Sequence, residues 1–258
     1  MPVDTATKRK RFRALHESGC FVIPNPWDIG SARRLQNMGF QALASTSSGA
    51  AWALGRQDGE LFLDEVLNHL LQLCAATDLP VNADFEAGFA DNTDDLSRNV
   101  VAAVRTGVAG LSIEDYYEGR LYGLSEARDR MAAARAAIDS TGEDVMLISR
   151  AEGFIRGKPD LEDVIKRLVA YSRAGADCLY APGIKDMSAI KAIVQAVAPK
   201  PVNVLLSGPD LRVSELAAAG VRRISVGGSL AAHAYAAFDR AARMLRDEGT
   251  LPPRPTLA

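Results

Sequence analysis

The chain has 258 residues, 48% of them hydrophobic and 24% charged, enough to bury a sizeable core in one large domain or two small ones. Thirty basic against 32 acidic residues leave a formal net charge of -2, so no overall field favours nucleic acid or an anionic membrane, and small metabolites are the expected partners. Three widely spaced cysteines, Cys20, Cys74 and Cys178, support neither a disulfide framework nor a zinc knuckle; with no apolar run of signal or spanning length, the expected compartment is the cytoplasm.

In chain order, a helix over residues 4–18 precedes the first strand and is placed to plug one end of a barrel; its Arg9, Lys10 and Arg11 read as a solvated face. Strand-like runs follow at 20–25, 42–47, 80–86, 110–116, 145–152, 178–183, 202–208 and 223–228, with helical periodicity between them. Acid or hydroxyl residues open several of these helices, and Gly39, Gly107, Gly175 and Gly220 close them, as expected of αβ turns. An eightfold βα repeat in this length predicts an α/β fold, a closed (β/α)8 TIM barrel making one domain over 1–258, in preference to an open Rossmann sheet. The last helix, near 230–248, carries apolar residues on more than one face and is expected to pack against another subunit. Residues 249–258 read as a Pro-rich tail.

Alternation along the third strand puts Asn82, Asp84 and Glu86 on one face and Val81, Ala83 and Phe85 on the other. In a barrel the polar face points inward at the C-terminal end, where βα loops build sites. For either acid alone, a helix cap or an arginine partner is the alternative. The next strand ends in Glu114 and Asp115, bringing a second inward carboxylate; the loop after strand two adds Asp58, and strand five ends with Arg150. Carboxylates that outnumber nearby cations repel one another unless a cation sits among them, and oxygen-only ligands without His or Cys point to Mg²⁺, with Mn²⁺ as the alternative. His16, His69 and His233 are isolated on helices and read as surface or core residues. Gly208, Gly227 and Gly228 read as tight turns, a phosphate-binding pair of loops being the alternative.

The segments NPWDIGSARRLQNMGFQALASTSSG, ALGRQDG, PVNADFEAGF, GLSIED, LISRAE, GADCLYAPG and PVNV, in this order, resemble the isocitrate lyase and phosphoenolpyruvate mutase superfamily over roughly residues 20–235. The resemblance implies a (β/α)8 barrel, commonly a homotetramer (a dimer of dimers) whose eighth helix is exchanged between subunits. It also implies Mg²⁺-dependent making or breaking of carbon-carbon or carbon-phosphorus bonds in 2-oxo or 2-hydroxy acids. By position, Asp84 resembles the direct Mg²⁺ ligand, while Glu86, Glu114 and Asp58 resemble acids that hold metal-bound waters; Glu86 stands where many members have Asp. Arg150 resembles the arginine that grips the substrate carboxylate, and Ser45, Thr46 and Ser47 match the loop that holds the same group through backbone N–H and hydroxyl. Asn203 matches a position contacting the distal part of the substrate. Arg150, Glu114 and Asp58 are the expected catalytic residues.

The departures narrow the chemistry. Isocitrate and methylisocitrate lyases follow the IED segment with a mobile lid bearing a Lys-Lys/Arg-Cys-Gly-His signature, where this chain has the run from Tyr116 to Gly123 with neither Cys nor His. Phosphonomutase members usually carry a strand-two tryptophan where Ala44 stands. The expected function is a Mg²⁺-dependent lyase or decarboxylase breaking a carbon-carbon bond in a small 2-oxo or 2-hydroxy (di)carboxylic acid such as oxaloacetate. Carbon-phosphorus chemistry on phosphonopyruvate or phosphoenolpyruvate and a non-catalytic 2-oxo acid binder are the alternatives. Tyr116, Tyr122 or a metal-bound water are the candidate acids or bases.

Overall fold

A computed structural model describes residues 2–254 and 256. Helix α1 (Thr5–Leu15), opened by Asp4 accepting from the Thr7 N–H, leads to β1 (Phe21–Ile23), α2 (Ile29–Asn37) and β2 (Leu43–Ala44). Next come α3 (Ser47–Ala53), α4 (Leu63–Ala76), β3 (Val81–Asp84), α5 (Thr93–Arg105) and β4 (Gly110–Glu114). A two-stranded hairpin, β5 (Tyr116–Tyr117) and β6 (Arg120–Leu121), precedes α6 (Leu124–Ser140), β7 (Met146–Arg150) and α7 (Leu161–Arg173). The chain ends with β8 (Cys178–Tyr180), α8 (Met187–Val197), β9 (Val202–Leu205), α9 (Val213–Ala218), β10 (Arg223–Ser225) and α10 (Ser229–Glu248).

Eight parallel strands pair in the order β1-β10-β9-β8-β7-β4-β3-β2, the nearly closed wall of a (β/α)8 barrel. All eight strand-like runs are strands, each shorter than its apolar run because the polar ends turn away into the upper loops. Gly39, Gly107, Gly175 and Gly220 all have left-handed φ, between 86° and 104°, the backbone state that ends a helix and that a Cβ disfavours. Closure between β1 and β2 is thin. Pro24 and Pro26 offer no N–H, and a single backbone bond, Ala44 N–H to Pro24 O at 3.1 Å, crosses there among the described residues. The Asn25 side chain supplements it, donating to Ser45 O at 2.8 Å and accepting from the N–H groups of Val226 and Gly227, both at 2.9 Å.

Two apolar layers follow from strand alternation. Val81, Ala83, Phe85, Leu111, Ile113, Leu147 and Leu179 face outward into the helix layer. Inside the barrel a smaller cluster includes Phe21, Ala44, Met146, Ile148 and Cys178, closed at the N-terminal end by Phe12 of α1. The basic run of α1 is not uniformly solvated as expected: Lys10 and Arg11 are exposed, whereas Arg9 is buried. Arg9 donates to Val104 O and Val108 O, and Lys8 to Cys74 O and Thr77 O, satisfying carbonyls at the ends of neighbouring elements and fixing the plug. Helix α10 is unlike the others: of its 20 residues Ala231 alone is buried, and Tyr235, Phe238 and Leu245 are exposed.

Candidate active site

The ladder sets the site. Glu114 pairs with Arg150 across β4 and β7, and Asp84 ends the adjacent β3 opposite Ser112, one inward position below Glu114, so all three side chains rise from the upper ends of neighbouring strands. Arg150 Nη1 donates to Asp84 Oδ1 at 2.7 Å, and Ser47 N–H donates to Asp84 Oδ2 at 3.0 Å. Ser45 Oγ accepts from the Asp84 N–H at 2.8 Å, tying β2's exit to β3. Beyond β7 the chain adds Glu152 and Arg156, and these four residues close a ring of alternating charge. Arg150 meets Glu114 Oε2 at 3.0 Å and Glu152 Oε1 at 2.8 Å; Arg156 meets Glu114 Oε1 at 3.3 Å and Glu152 Oε2 at 3.1 Å. Arg156 also lies over the Tyr116 ring at 4.0 Å, and Arg150 faces the Tyr180 ring at 5.4 Å.

The ring borders an open cavity of about 1250 Å³, also lined by Ser47, Asp58, Glu86, Phe62, Phe89 and Tyr116. Burial alone would weaken the Arg150 cation, but Glu114, Glu152 and Asp84 more than offset it and hold the guanidinium charged. Glu114 is pushed upward by burial, against the pull of Arg150 and Arg156. Glu86 is pushed up to about 7, first by burial and then by repulsion from Asp84 and Asp58. Asp58 is raised by burial and by Asp84, and a hydrogen bond with the Ser47 side chain opposes the shift. Glu86 sits in the turn after β3 with a φ of 47°, left-handed and uncommon for a residue with a side chain, at the edge of the cavity.

Ser47, Asp58, Glu86, Glu114 and Arg150 thus line one cavity, with Asp84 bonded to Arg150 and Ser47 beside it. Thr46 is turned away: it is the N-cap of α3, accepting from Gly49 N–H at 3.3 Å. Asn203 lies lower in the barrel, donating to Ser225 Oγ at 3.0 Å, with its Oδ1 buried and unpartnered. Asp115 faces outward, accepting from Tyr171, Arg167 and the Glu152 N–H, and so anchors the loop that carries Glu152. Tyr122 is buried between the guanidiniums of Arg120 and Arg130. Of the glycine loops, the second has the N–H groups of residues 226 and 227 committed to Asn25, which leaves them unavailable to a phosphate. Sequence reasoning missed Glu152 and Arg156; the signal within reach was the i,i+4 acid-base spacing in SRAEGFIR.

Among the described residues no three His, Cys, Asp or Glu side chains are grouped to hold a metal ion in this arrangement, since Asp84 and Glu114 direct both their oxygens to N–H donors. The donor chemistry nonetheless suits a hard divalent cation. It is all oxygen, and it retains unrelieved repulsion among Asp58, Asp84 and Glu86.

Fold and rim together define a class: a (β/α)8 barrel whose top face gathers serine, guanidinium and carboxyl groups around one cavity. The sequence matches the phosphoenolpyruvate phosphomutase family over residues 12–246, and the chain belongs to that family. An oxaloacetate decarboxylase of Marinomonas sp. (strain MWYL1) is 30% identical over 257 residues, covering 94% of this chain and 88% of its own. The crystal structure of a Burkholderia cenocepacia J2315 protein provisionally described as a lyase/mutase superposes with a TM-score of 0.93 at 45% identity, over 96% of this chain and 91% of that one. An oxaloacetate acetylhydrolase in complex with its product oxalate gives 0.89 at 27% identity, over 98% and 91%.

Proposed function

We propose that this protein is a Mg²⁺-dependent lyase that breaks a carbon-carbon bond in a small 2-oxo dicarboxylic acid, oxaloacetate being the first candidate. The observation that carries the reading is the charge balance of the rim: Asp58, Asp84, Glu86, Glu114 and Glu152 face two guanidiniums, Arg150 and Arg156. Asp58 and Glu86 make no ion pair with either guanidinium, and their carboxyls are pushed upward by burial first and by repulsion from Asp84 after it. Asp84, Glu86 and Asp58 would hold Mg²⁺, with water completing the set and Glu114 beside it. Bound there, the ion would supply Lewis-acid stabilisation of negative charge developing on the 2-oxo oxygen.

The chain's own groups do the rest. The Ser47 N–H now donates to Asp84 Oδ2 and the Ser45 hydroxyl accepts from the Asp84 N–H; this serine loop would orient a carboxylate once Asp84 turns to Mg²⁺, and Arg150 fixes Asp84, Glu114 and Glu152 in one constellation. Phe62 and Phe89 line the cavity and can shed water from it when ligand enters. Decarboxylation or hydrolysis of a 2-oxo acid needs no cysteine acid, which agrees with the hairpin β5–β6 carrying tyrosines where the lyase lid has Cys and His. The same hairpin sequence supports the second reading, a barrel that binds a 2-oxo acid without turning it over. The exposed apolar side chains of α10 support exchange of this helix between subunits of a homotetramer, a dimer of dimers.

Pyruvate release and Mg²⁺-dependent thermal shift should be measured with oxaloacetate, 2-oxoglutarate, methylisocitrate and phosphonopyruvate. Metal-dependent turnover of oxaloacetate is the expected result, lost in Asp84→Ala. Full turnover in that variant would sink the assignment, and stabilisation without turnover of any acid would favour the binder.

A further inference from the structure

We propose that Arg156 is a specificity-determining residue: its guanidinium receives the substrate carboxylate remote from the one held at Ser45 and Ser47, and so selects dicarboxylates over monocarboxylates. This rests on the reading of the site as one for a small 2-oxo acid, and it names which end of that acid is recognised by what.

The two arginines of the charge ring differ in what they have left to offer. Arg150 directs Nε, Nη1 and Nη2 to the carboxylates of Asp84, Glu114 and Glu152, and its side chain is 13% exposed. Arg156 gives Nε to Glu152 and Nη2 to Glu114, its Nη1 has no hydrogen-bond partner among the described residues, and its side chain is 38% exposed at the cavity mouth. A guanidinium carries five N–H donors, so Arg156 keeps several for an incoming anion while Arg150 keeps almost none. Arg156 is also held in place before any ligand arrives, clamped by two buried carboxylates and laid over Tyr116, so little side-chain entropy remains to be lost on binding. Its position completes the case. In the barrel order β2 and β7 lie three strand positions apart out of eight, so the serine loop after β2 and the arginine after β7 flank the mouth from nearly opposite sides. A ligand bridging them presents one anionic group to each.

The test is binding and kinetics of Arg156→Gln and Arg156→Lys in the presence of Mg²⁺, with malate and its 4-amide as non-reacting probes of one size and oxaloacetate as substrate. Wild-type protein is expected to bind malate about tenfold tighter than the amide, the worth of one charge-assisted hydrogen bond. Arg156→Gln should weaken malate by about that factor, leave the amide within about twofold, and raise KM for oxaloacetate with kcat little changed. Arg156→Lys should restore part of the preference, since it keeps the charge and loses the planar fork. Equal weakening of both probes by Arg156→Gln, or no weakening of malate, overturns the inference while leaving the proposed function standing. Wild-type protein that binds neither probe and does not turn over oxaloacetate overturns both.

Discussion

Replacing Arg150 by methionine tests the charge ring most directly. The substitution keeps much of the side-chain volume and removes the cation that bonds Asp84 at 2.7 Å, Glu114 at 3.0 Å and Glu152 at 2.8 Å, groups 18%, 6% and 1% exposed. Asp84 keeps the Ser47 N–H, and Glu114 and Glu152 keep Arg156, so the loss resembles one broken buried ion pair more than three. That is about 3–5 kcal/mol, which in a chain of this size lowers Tm by about 6–20 °C. The pH dependence identifies the cause. Burial already raises the Glu114 carboxyl against the pull of Arg150, and without Arg150 it rises further, so the variant takes up more protons on folding and loses more stability as pH rises. The gap between wild type and variant should therefore widen from pH 5 to pH 8, measured by circular dichroism melts without divalent ions. A variant melting within about 2 °C of wild type at pH 8, or a gap that does not change with pH, would refute the account.

Two further predictions follow from single groups. Glu86 is held at about 7 in the folded protein against 4.5 as the reference, so its contribution favours the fold below about pH 4.5 and is lost as pH rises through 7. Glu86→Gln should therefore stabilise the metal-free protein by about 3 kcal/mol at pH 8 and leave it unchanged at pH 4, read from urea midpoints at the two pH values. Tyr171→Phe removes the 2.6 Å hydrogen bond to Asp115 Oδ2, which keeps Arg167 and the Glu152 N–H. It should lower stability by about 1–3 kcal/mol while KM for the substrate stays within about twofold, and a large KM change would place Asp115 nearer the chemistry than its outward position allows.

The strands and the inward face of Asn82 and Asp84 were legible because a barrel strand alternates a polar interior with an apolar outer layer, and Val81, Ala83 and Phe85 do pack outward. What escaped reading depended on partners far away in sequence. Arg9 looked solvated because its acceptors, Val104 O and Val108 O, lie 95 and 99 residues on. Helix α3 is short and built of Ser, Gly, Ala and Trp, with no apolar period to mark it, so the capping role of the Thr46 side chain was not visible. At the rim Asp58, Asp84, Glu86 and Glu114 could be placed from sequence while Glu152 was missed, and so was how far they are neutralised: Arg156 reaches Glu114 across 42 residues, and its charge had no visible place in the site. Two guanidiniums relieve part of the repulsion at Glu114, whereas Asp58 and Glu86 have no ion-pair partner among the described residues.

The thin closure between β1 and β2 has a dynamic consequence. Parting most neighbouring strands breaks a ladder of backbone bonds, whereas parting these two breaks one, together with the bonds of a single asparagine side chain. Local opening starts where the fewest buried bonds are lost, so the wall breathes at this point first. The Ala44 amide, bonded across it, should exchange with deuterium sooner than the Leu43 amide, which bonds to Pro80 O on the β3 side. Ser45 and Ser47 come next in the chain, so a motion of the wall and not only of an overlying loop can loosen the grip on a ligand, with Asn25 as the clasp that sets how often it does.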